Sequence, residues 1–222
     1  MAINLRTLPR RLLRAIAARA WLRPLLVVRG DARRSQVALT IDDGPDASTL
    51  EYLDLLDRHG VRATFFVVGA CCRARPALVL EIVRRGHELA NHTFTHGRLP
   101  GMSRIDLARD LEQTEELLPS LAPGRPLVRP PHGDVTLRSL GLCALAGYRT
   151  VLWSLDSGDS RTHDVNALVA RVVPGASAGE IILLHEGQPW TLAALPRIID
   201  GLRVRGLEPV TVGELLAPRG RS

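Results

Sequence analysis

The feature that most constrains this sequence is a repeated alternation of short apolar runs with longer amphipathic segments, starting near residue 36. Short apolar runs predict buried strands, and apolar residues at three- and four-residue steps predict helices. The predicted strands are Val37–Ile41, Ala63–Val68, Glu88–Asn91, Leu127–Arg129, Thr150–Leu155, Glu180–Leu184 and Val210–Val212. Strand and helix alternating about seven times is typical of an α/β protein with a parallel sheet.

Helices are predicted between these strands, two of them with Ser48 and Ser103 as N-caps. Their predicted ranges are Ser48–His59, Pro76–Arg85, Ser103–Leu118, Leu137–Ala146, Val165–Val173 and Leu192–Val204. Because there is no glycine-rich dinucleotide fingerprint, a closed or nearly closed barrel is favoured over a doubly wound sheet. We expect one domain over residues 36–217, an N-terminal arm over 1–35 and a short tail over 218–222.

Composition excludes some classes of function. The net charge is +6, but all 29 basic residues are arginine, which indicates a compositional bias rather than a functional basic surface. No stretch interleaves arginine with aromatic residues, so no nucleic-acid partner is expected. Cys71, Cys72 and Cys143 form neither a disulfide framework nor a zinc spacing, which favours a reducing compartment.

Within the arm before the barrel, residues 1–23 mix six arginines with apolar residues. On a helix, Leu5, Leu8, Leu12 and Ile16 would line one side. Residues 1–30 would then either contact an anionic membrane surface peripherally or pack against the barrel. No run is long enough to span a bilayer, and arginines interrupt any signal-peptide core. A location in the cytoplasm or at the membrane periphery is therefore expected.

Polar residues collect where the predicted strands end. In chain order they are Asp42, Asp43, His92, His96, Arg129, Asp156, Asp159 and His185. The carboxyl ends of parallel barrel strands meet at one rim, which is where barrels place their active sites. The sequence therefore predicts that these side chains lie together.

Two imidazoles and a carboxylate suggest a metal site at this rim. His92 and His96 are four residues apart, one helical turn, so both could face one cation. A histidine pair alone is more often solvated or structural, but Asp43 on a neighbouring strand end would complete a catalytic ligand set with open positions.

The remaining polar residues suggest acid and base groups. Asp42 is free to take a proton from a water molecule activated by the metal, while His185 could protonate a leaving nitrogen. Arg129 needs a buried carboxylate partner, and Asp42 is the candidate, which it would hold ionised.

These residues resemble a known family. Thr40-Ile-Asp-Asp-Gly-Pro45, His92-Thr-Phe-Thr-His96, Arg129-Pro-Pro-His-Gly133, Asp156-Ser-Gly-Asp159 and Leu183-Leu-His185 look like the five ordered motifs of the polysaccharide deacetylases. This family is the NodB-homology domain, or carbohydrate esterase family 4. The resemblance runs from about Val37 to Leu216.

The resemblance implies a distorted (β/α)7 barrel and one divalent metal ion, zinc first, with cobalt, nickel or manganese as alternatives. It implies Asp42 as base, His185 as acid and Asp43, His92 and His96 as ligands. It further implies Arg129 orienting Asp42, Asp159 orienting His185 and Leu183 lining the acyl pocket. Pro131 and Trp153 are further candidates for substrate contact.

The substrate expected from this resemblance is a glycan that contains an N-acylated amino sugar. Ser160 stands where the family often has Trp, and His132 where Tyr or Phe is frequent, so the shape of the pocket differs. Two alternatives stay open. One is a deformylase or other amide hydrolase of this fold that acts on a lipid-linked sugar or a small molecule. The other is a non-catalytic glycan-binding module.

Overall fold

The computed structural model describes residues 24–119 and 126–218. Nine strands of this part of the chain form one sheet, and every strand pair in it is parallel. The strands are β1 (Leu26–Val27), β2 (Gln36–Asp42), β3 (Thr64–Val67), β4 (Glu88–Asn91), β5 (Leu127–Val128), β6 (Arg149–Val151), β7 (Leu155–Asp156), β8 (Ile181–His185) and β9 (Glu208–Val210).

Helices connect the strands from β2 to β6 and from β7 to β9, whereas β1–β2 and β6–β7 are joined without a helix. The helices are α1 (Thr49–Arg58), α2 (Gly69–Ala74), α3 (Pro76–Arg84), α4 (Arg104–Glu115), α5 (Leu137–Leu145), α6 (Val165–Gly175), α7 (Pro189–Val204) and α8 (Val212–Leu216). A short 3₁₀ turn occupies Pro131–Gly133. Ser103 caps α4 as predicted, since its side chain accepts the Asp106 N–H. Ser48 precedes α1, but its hydroxyl bonds Asp46 instead of the helix backbone.

The sheet curls into a barrel. The strand order is β1-β6-β5-β4-β3-β2-β8-β7, and β9 pairs with the first half of β2. β6 pairs with β5, whereas β7, only four residues later, pairs with β8 at the other end of this order. Leu152 N donates to Val27 O and Ser154 N to Ile181 O, so the chain itself crosses the gap between the two ends.

Alternation along β2 separates two apolar layers. Val37, Leu39 and Ile41 belong to the large cluster that also contains the buried faces of α1 and α7. Ala38 belongs to a second cluster with β-strand residues such as Phe66, inside the barrel. Because side chains alternate along a strand, Asp42 falls on the same side as Ala38 and is directed into the barrel.

The predicted class, a distorted parallel barrel in a single domain, is confirmed, but two local predictions are wrong and one helix was missed. Thr150–Leu155 is two strands, because the chain turns from one neighbour to another at Leu152–Ser154. The last strand is Glu208–Val210, and Val212 already begins a helix whose N-cap, Thr211, accepts the Glu214 N–H. α2 was not predicted, since its six residues are too short for a periodic pattern.

β1 lies in the range that the sequence placed in the N-terminal arm, and it pairs with β6. The other arm residues that suggested membrane contact, residues 1–23, lie outside the described part, as do 219–222 of the tail. Within the described ranges, no helix combines the length and apolar character needed to cross a bilayer.

Candidate active site

Three potential ligands converge at the rim of the barrel. Asp43 follows β2 directly and adopts a left-handed backbone, with φ of 78°. Its Oδ1 lies 3.4 Å from Nε2 of His92 and 3.1 Å from Nε2 of His96. One ligand atom from each residue lies within 4.8 Å of the others. A non-glycine residue in this region of φ is costly and persists only where surrounding contacts impose it, often at functional sites.

The segment that carries the two histidines is not helical, contrary to the prediction. His92–His96 is a loop after β4, in which Thr93 and His96 have φ of 68° and 55°. Asp110 of α4 holds this loop: its Oδ1 accepts the Phe94 N–H at 2.6 Å and its Oδ2 accepts the Thr95 hydroxyl at 2.7 Å. The histidines therefore face one point because tertiary contacts shape the loop.

The orientation of His92 favours metal binding. Its Nδ1–H donates to the carbonyl of Arg129 at 2.7 Å, which leaves the lone pair of Nε2 directed towards Asp43. Asp43 Oδ1 is buried and makes no hydrogen bond within the described residues. A carboxylate oxygen facing an imidazole lone pair is unfavourable unless a cation lies between them. The residues present therefore fit a divalent metal ion.

The charge state of Asp43 agrees with this arrangement. Burial alone would raise the pKa of its carboxyl, but when His92 and His96 carry a proton on Nε2, their hydrogen bonds and charge outweigh burial and hold that pKa well below its ordinary value. A cation in the same place would act in the same direction. Asp43 is therefore an anion at any physiological pH, and an anionic carboxylate is the form that coordinates metals.

Asp42 makes the buried ion pair that the sequence predicted. Nη1 of Arg129 lies 2.6 Å from Asp42 Oδ1 and also donates to Thr40 Oγ1 at 2.8 Å. Arg129 is fully buried, and its guanidinium stacks 3.9 Å from the centre of the Phe66 ring. Burial lowers the pKa of Arg129, and the charge of Asp42 offsets part of that effect. Losing either partner would leave an uncompensated buried charge.

His185 ends β8 opposite Asp42, which is its register partner across the β2–β8 ladder. Asp159 holds His185 twice, through Nδ1 at 2.7 Å and through the backbone N–H at 2.8 Å. Burial would lower the pKa of His185, but the hydrogen bond and charge of Asp159, with the charges of Asp42 and Asp43, raise it to about 9. The imidazole is therefore protonated at neutral pH.

The predicted substrate contacts differ in how far they are buried. Leu183 is buried in β8 and Pro131 is buried in the 3₁₀ turn. Trp153 is half-buried and packs under Gly133, where a Cβ would approach within 2.7 Å of the indole. The exposed His132 has φ of 59° and meets the His96 ring edge-on at 4.9 Å. Asp156 pairs with Arg161 at 2.8 Å.

Sequence reasoning missed the residues that support the histidine loop and Asp159 through hydrogen bonds. Asp110 shapes the histidine loop, and Asn91 accepts the Thr93 N–H at 2.8 Å. Thr191 of α7 donates to Asp159 at 2.9 Å, and Trp190 Nε1 donates to the Asp159 carbonyl at 2.7 Å. Only proximity to a motif could have indicated Asn91, and nothing in the sequence marked the other three.

Comparison with known proteins agrees with the fold and the site. The family model for polysaccharide deacetylase matches residues 29–151. A peptidoglycan-N-acetylglucosamine deacetylase from Bacillus cereus is 37% identical over 186 residues, covering 81% of this chain and 87% of the relative. A chitooligosaccharide deacetylase from Sinorhizobium fredii is also 37% identical, with 81% and 91% covered.

Structural comparison gives the same result. The solved structure of a peptidoglycan N-acetylglucosamine deacetylase bound to 4-naphthalen-1-yl-N-oxidanyl-benzamide superposes with a TM-score of 0.83 and 30% identity. The match covers 89% of this chain and 96% of that one. The chain belongs to the polysaccharide deacetylase family. The two relatives are named as deacetylases, which are hydrolases of carbon–nitrogen bonds, as the sequence predicted.

Proposed function

We propose that this chain is a metal-dependent hydrolase that removes the N-acetyl group from an amino-sugar residue of a glycan. The observation that carries the proposal is the register of β2 and β8. It sets Asp42 opposite His185, so a carboxylate and a protonated imidazole lie beside the Asp43, His92 and His96 group. A base, an acid and a ligand set at one rim are what hydrolysis of an amide requires.

Asp43, His92 and His96 would hold the ion. Zinc suits two imidazoles and one carboxylate best, while cobalt, nickel and manganese are alternatives. When bound, the ion polarises the acyl carbonyl and lowers the pKa of a water molecule.

Asp42 serves as the general base in this proposal. It takes the proton of the attacking water through Oδ2, because Oδ1 is already bonded to Arg129. Arg129 and Thr40 fix the carboxylate inside the barrel, so Arg129 orients the base.

His185 serves as the general acid. Asp159 occupies its Nδ1, which leaves Nε2–H for the departing amine nitrogen. Because the pKa of His185 is raised to about 9, the imidazole enters the reaction already protonated. Asp159 orients this acid as well as raising its pKa.

The relatives support the substrate class. Their names describe deacetylation of peptidoglycan N-acetylglucosamine and of chitooligosaccharides. We infer that this chain also acts on an N-acetylated amino sugar, with Leu183, Pro131 and Trp153 lining the acyl and sugar pocket.

Product analysis tests the proposal. Purified protein, stripped with a chelator and reloaded with one divalent ion at a time, is incubated with chitooligosaccharides and with peptidoglycan fragments. We expect metal-dependent release of acetate and the matching free amine. Release of formate from formylated sugars alone would replace deacetylation with deformylation. Glycan binding without turnover under every ion would establish a non-catalytic module.

A further inference from the structure

Glu186 is a buried acid for which the proposed chemistry has no role. It follows His185 directly and is 4% exposed. Its Oε1 is buried and has no hydrogen-bond partner within the described residues. Burial raises the pKa of its carboxyl to about 8, although Thr49 and the Asp46 N–H partly oppose this effect. A buried polar group of this kind is costly and needs a structural or functional explanation.

Glu186 makes hydrogen bonds to the chain before and after the turn at Asp42–Gly44. Its backbone N–H donates to the carbonyl of Asp42 at 2.9 Å, one residue before Asp43. Its Oε2 accepts the Asp46 N–H at 3.2 Å and the Thr49 hydroxyl at 2.9 Å, after the turn. One residue is therefore bonded to the chain on both sides of Asp43.

The turn also packs directly on this carboxyl. A Cβ added to Gly44 would lie 2.1 Å from Glu186 Oε2, so a larger residue there would have to displace this carboxyl. On its other side, the Gly44 carbonyl accepts the Val68 N–H at 2.8 Å. Asp43 lies next to this clamped glycine, with its left-handed φ of 78°. Such a conformation persists where neighbouring contacts impose it.

We propose that Glu186 is a positioning residue, which holds the Asp42–Gly44 turn in the conformation that directs Asp43 towards His92 and His96. Because Glu186 also follows His185, it joins the loop of the ligand to the loop of the acid. The catalytic part of this inference rests on the proposed deacetylase function, whereas its effect on metal affinity does not.

Glu88 provides a matched control at the opposite end of the barrel. It begins β4, and its Oε2 accepts the Thr64 hydroxyl at 2.6 Å and the Gly213 N–H at 3.0 Å. A Cβ on Gly213 would lie 2.5 Å from Glu88 Oε1. Burial raises the pKa of this carboxyl too. Glu88 thus makes the same kinds of contact far from the metal ligands.

The test measures the Zn²⁺ dissociation constant of metal-stripped full-length variants by competition with a chelating dye. We expect Glu186→Ala to weaken Zn²⁺ binding about tenfold or more, as is usual for residues that orient ligands. Glu186→Gln should stay within about threefold of wild type, because its amide oxygen keeps the acceptor for Thr49 and Asp46. Glu88→Ala should bind Zn²⁺ like wild type.

Two results would overturn the inference: unchanged Zn²⁺ affinity in Glu186→Ala, or an equal loss in Glu88→Ala. If Glu186→Ala fails to fold, Thr49→Val decides, since it removes one donor to Oε2 and should weaken Zn²⁺ binding several-fold. Unchanged affinity in Thr49→Val would then reject the proposal. Absence of deacetylation would reject the proposed function, but these affinities would still report on Glu186.

Discussion

Asp159 binds His185 through both carboxylate oxygens, with Oδ1 2.7 Å from the imidazole Nδ1 and Oδ2 2.8 Å from the backbone nitrogen. The first contact sets the tautomer and charge of the ring, and the second sets its position at the end of β8. Asp159 is itself held by Thr191, so the acid depends on the first turn of α7.

Removing the negative charge of Asp159 should change the pH profile of turnover. The wild-type acid is protonated up to a pKa of about 9, so kcat should fall as pH rises through that value. In Asp159→Asn the pKa of His185 drops towards its ordinary 6.5, so the alkaline limb should move to lower pH. kcat measured across this range with saturating metal checks the shift. If the alkaline limb of the kcat profile lies at the same pH in Asp159→Asn as in wild type, His185 does not supply the proton.

The same pair should make stability depend on pH. A pKa raised above 6.5 in the folded state gives stability that is complete below about pH 6.5 and lost as pH rises through about 9. The difference corresponds to roughly 3 kcal/mol. Urea unfolding of metal-stripped wild type and His185→Gln, at about pH 6 and about pH 9.5, checks it. The gap in the free energy of unfolding should shrink at the higher pH, and a constant gap would contradict the prediction.

Variants of Asp42 and Asp43 should affect turnover and metal binding differently. Asp42→Asn keeps the three ligands and an acceptor for Arg129 but leaves the buried charge of Arg129 uncompensated. We therefore expect lower stability, with normal metal content in the folded protein and roughly 10²-fold lower kcat. Asp43→Asn replaces the anionic ligand with a weaker, neutral amide oxygen, so metal and activity should fall together. Metal analysis and initial rates on one preparation of each variant make the comparison. Near-normal turnover in Asp42→Asn would exclude it as the base.

Asp110 should matter for metal affinity although it is not among the ligands. Asp110→Ala frees the Phe94 N–H and the Thr95 hydroxyl, so the loop can release His96 from its left-handed conformation. We expect the Zn²⁺ dissociation constant to rise about tenfold. Asp106→Ala, on the exposed first turn of the same helix, is the control and should leave Zn²⁺ binding unchanged. Equal affinities in both variants would contradict the role given to Asp110.

The N-terminal arm can be tested without disturbing the barrel. Because Leu26 and Val27 pair with β6, a truncated chain should begin at Pro24. We expect the full chain to co-sediment with anionic vesicles and to detach with added salt, and the truncated chain to stay folded and unbound. If the full chain ignores vesicles, or the truncated one unfolds, the arm is structural.

The sequence predicts most strands and helices here because apolar alternation is a local signal. The two-residue strand Leu26–Val27 is too short to show this alternation and was therefore not predicted. At the site, the spacing of His92 and His96 identified the pair, but a helical turn was the wrong geometry. The left-handed Thr93 and His96 depend on Asn91 and Asp110, and contacts of that kind leave no periodic pattern. Buried acids such as Glu186 are invisible for the same reason.

At Leu152–Ser154 the two ends of the sheet are joined by the polypeptide chain itself. Two residues that are nearly adjacent in sequence bond strands at opposite ends of the sheet, so the length of this segment limits how far those ends can separate. One inserted residue would reverse the faces of Leu155 and Asp156. A proteolytic cut there would release the covalent link between the two ends of the sheet, β1 and β7, whose edges could then pair with other chains.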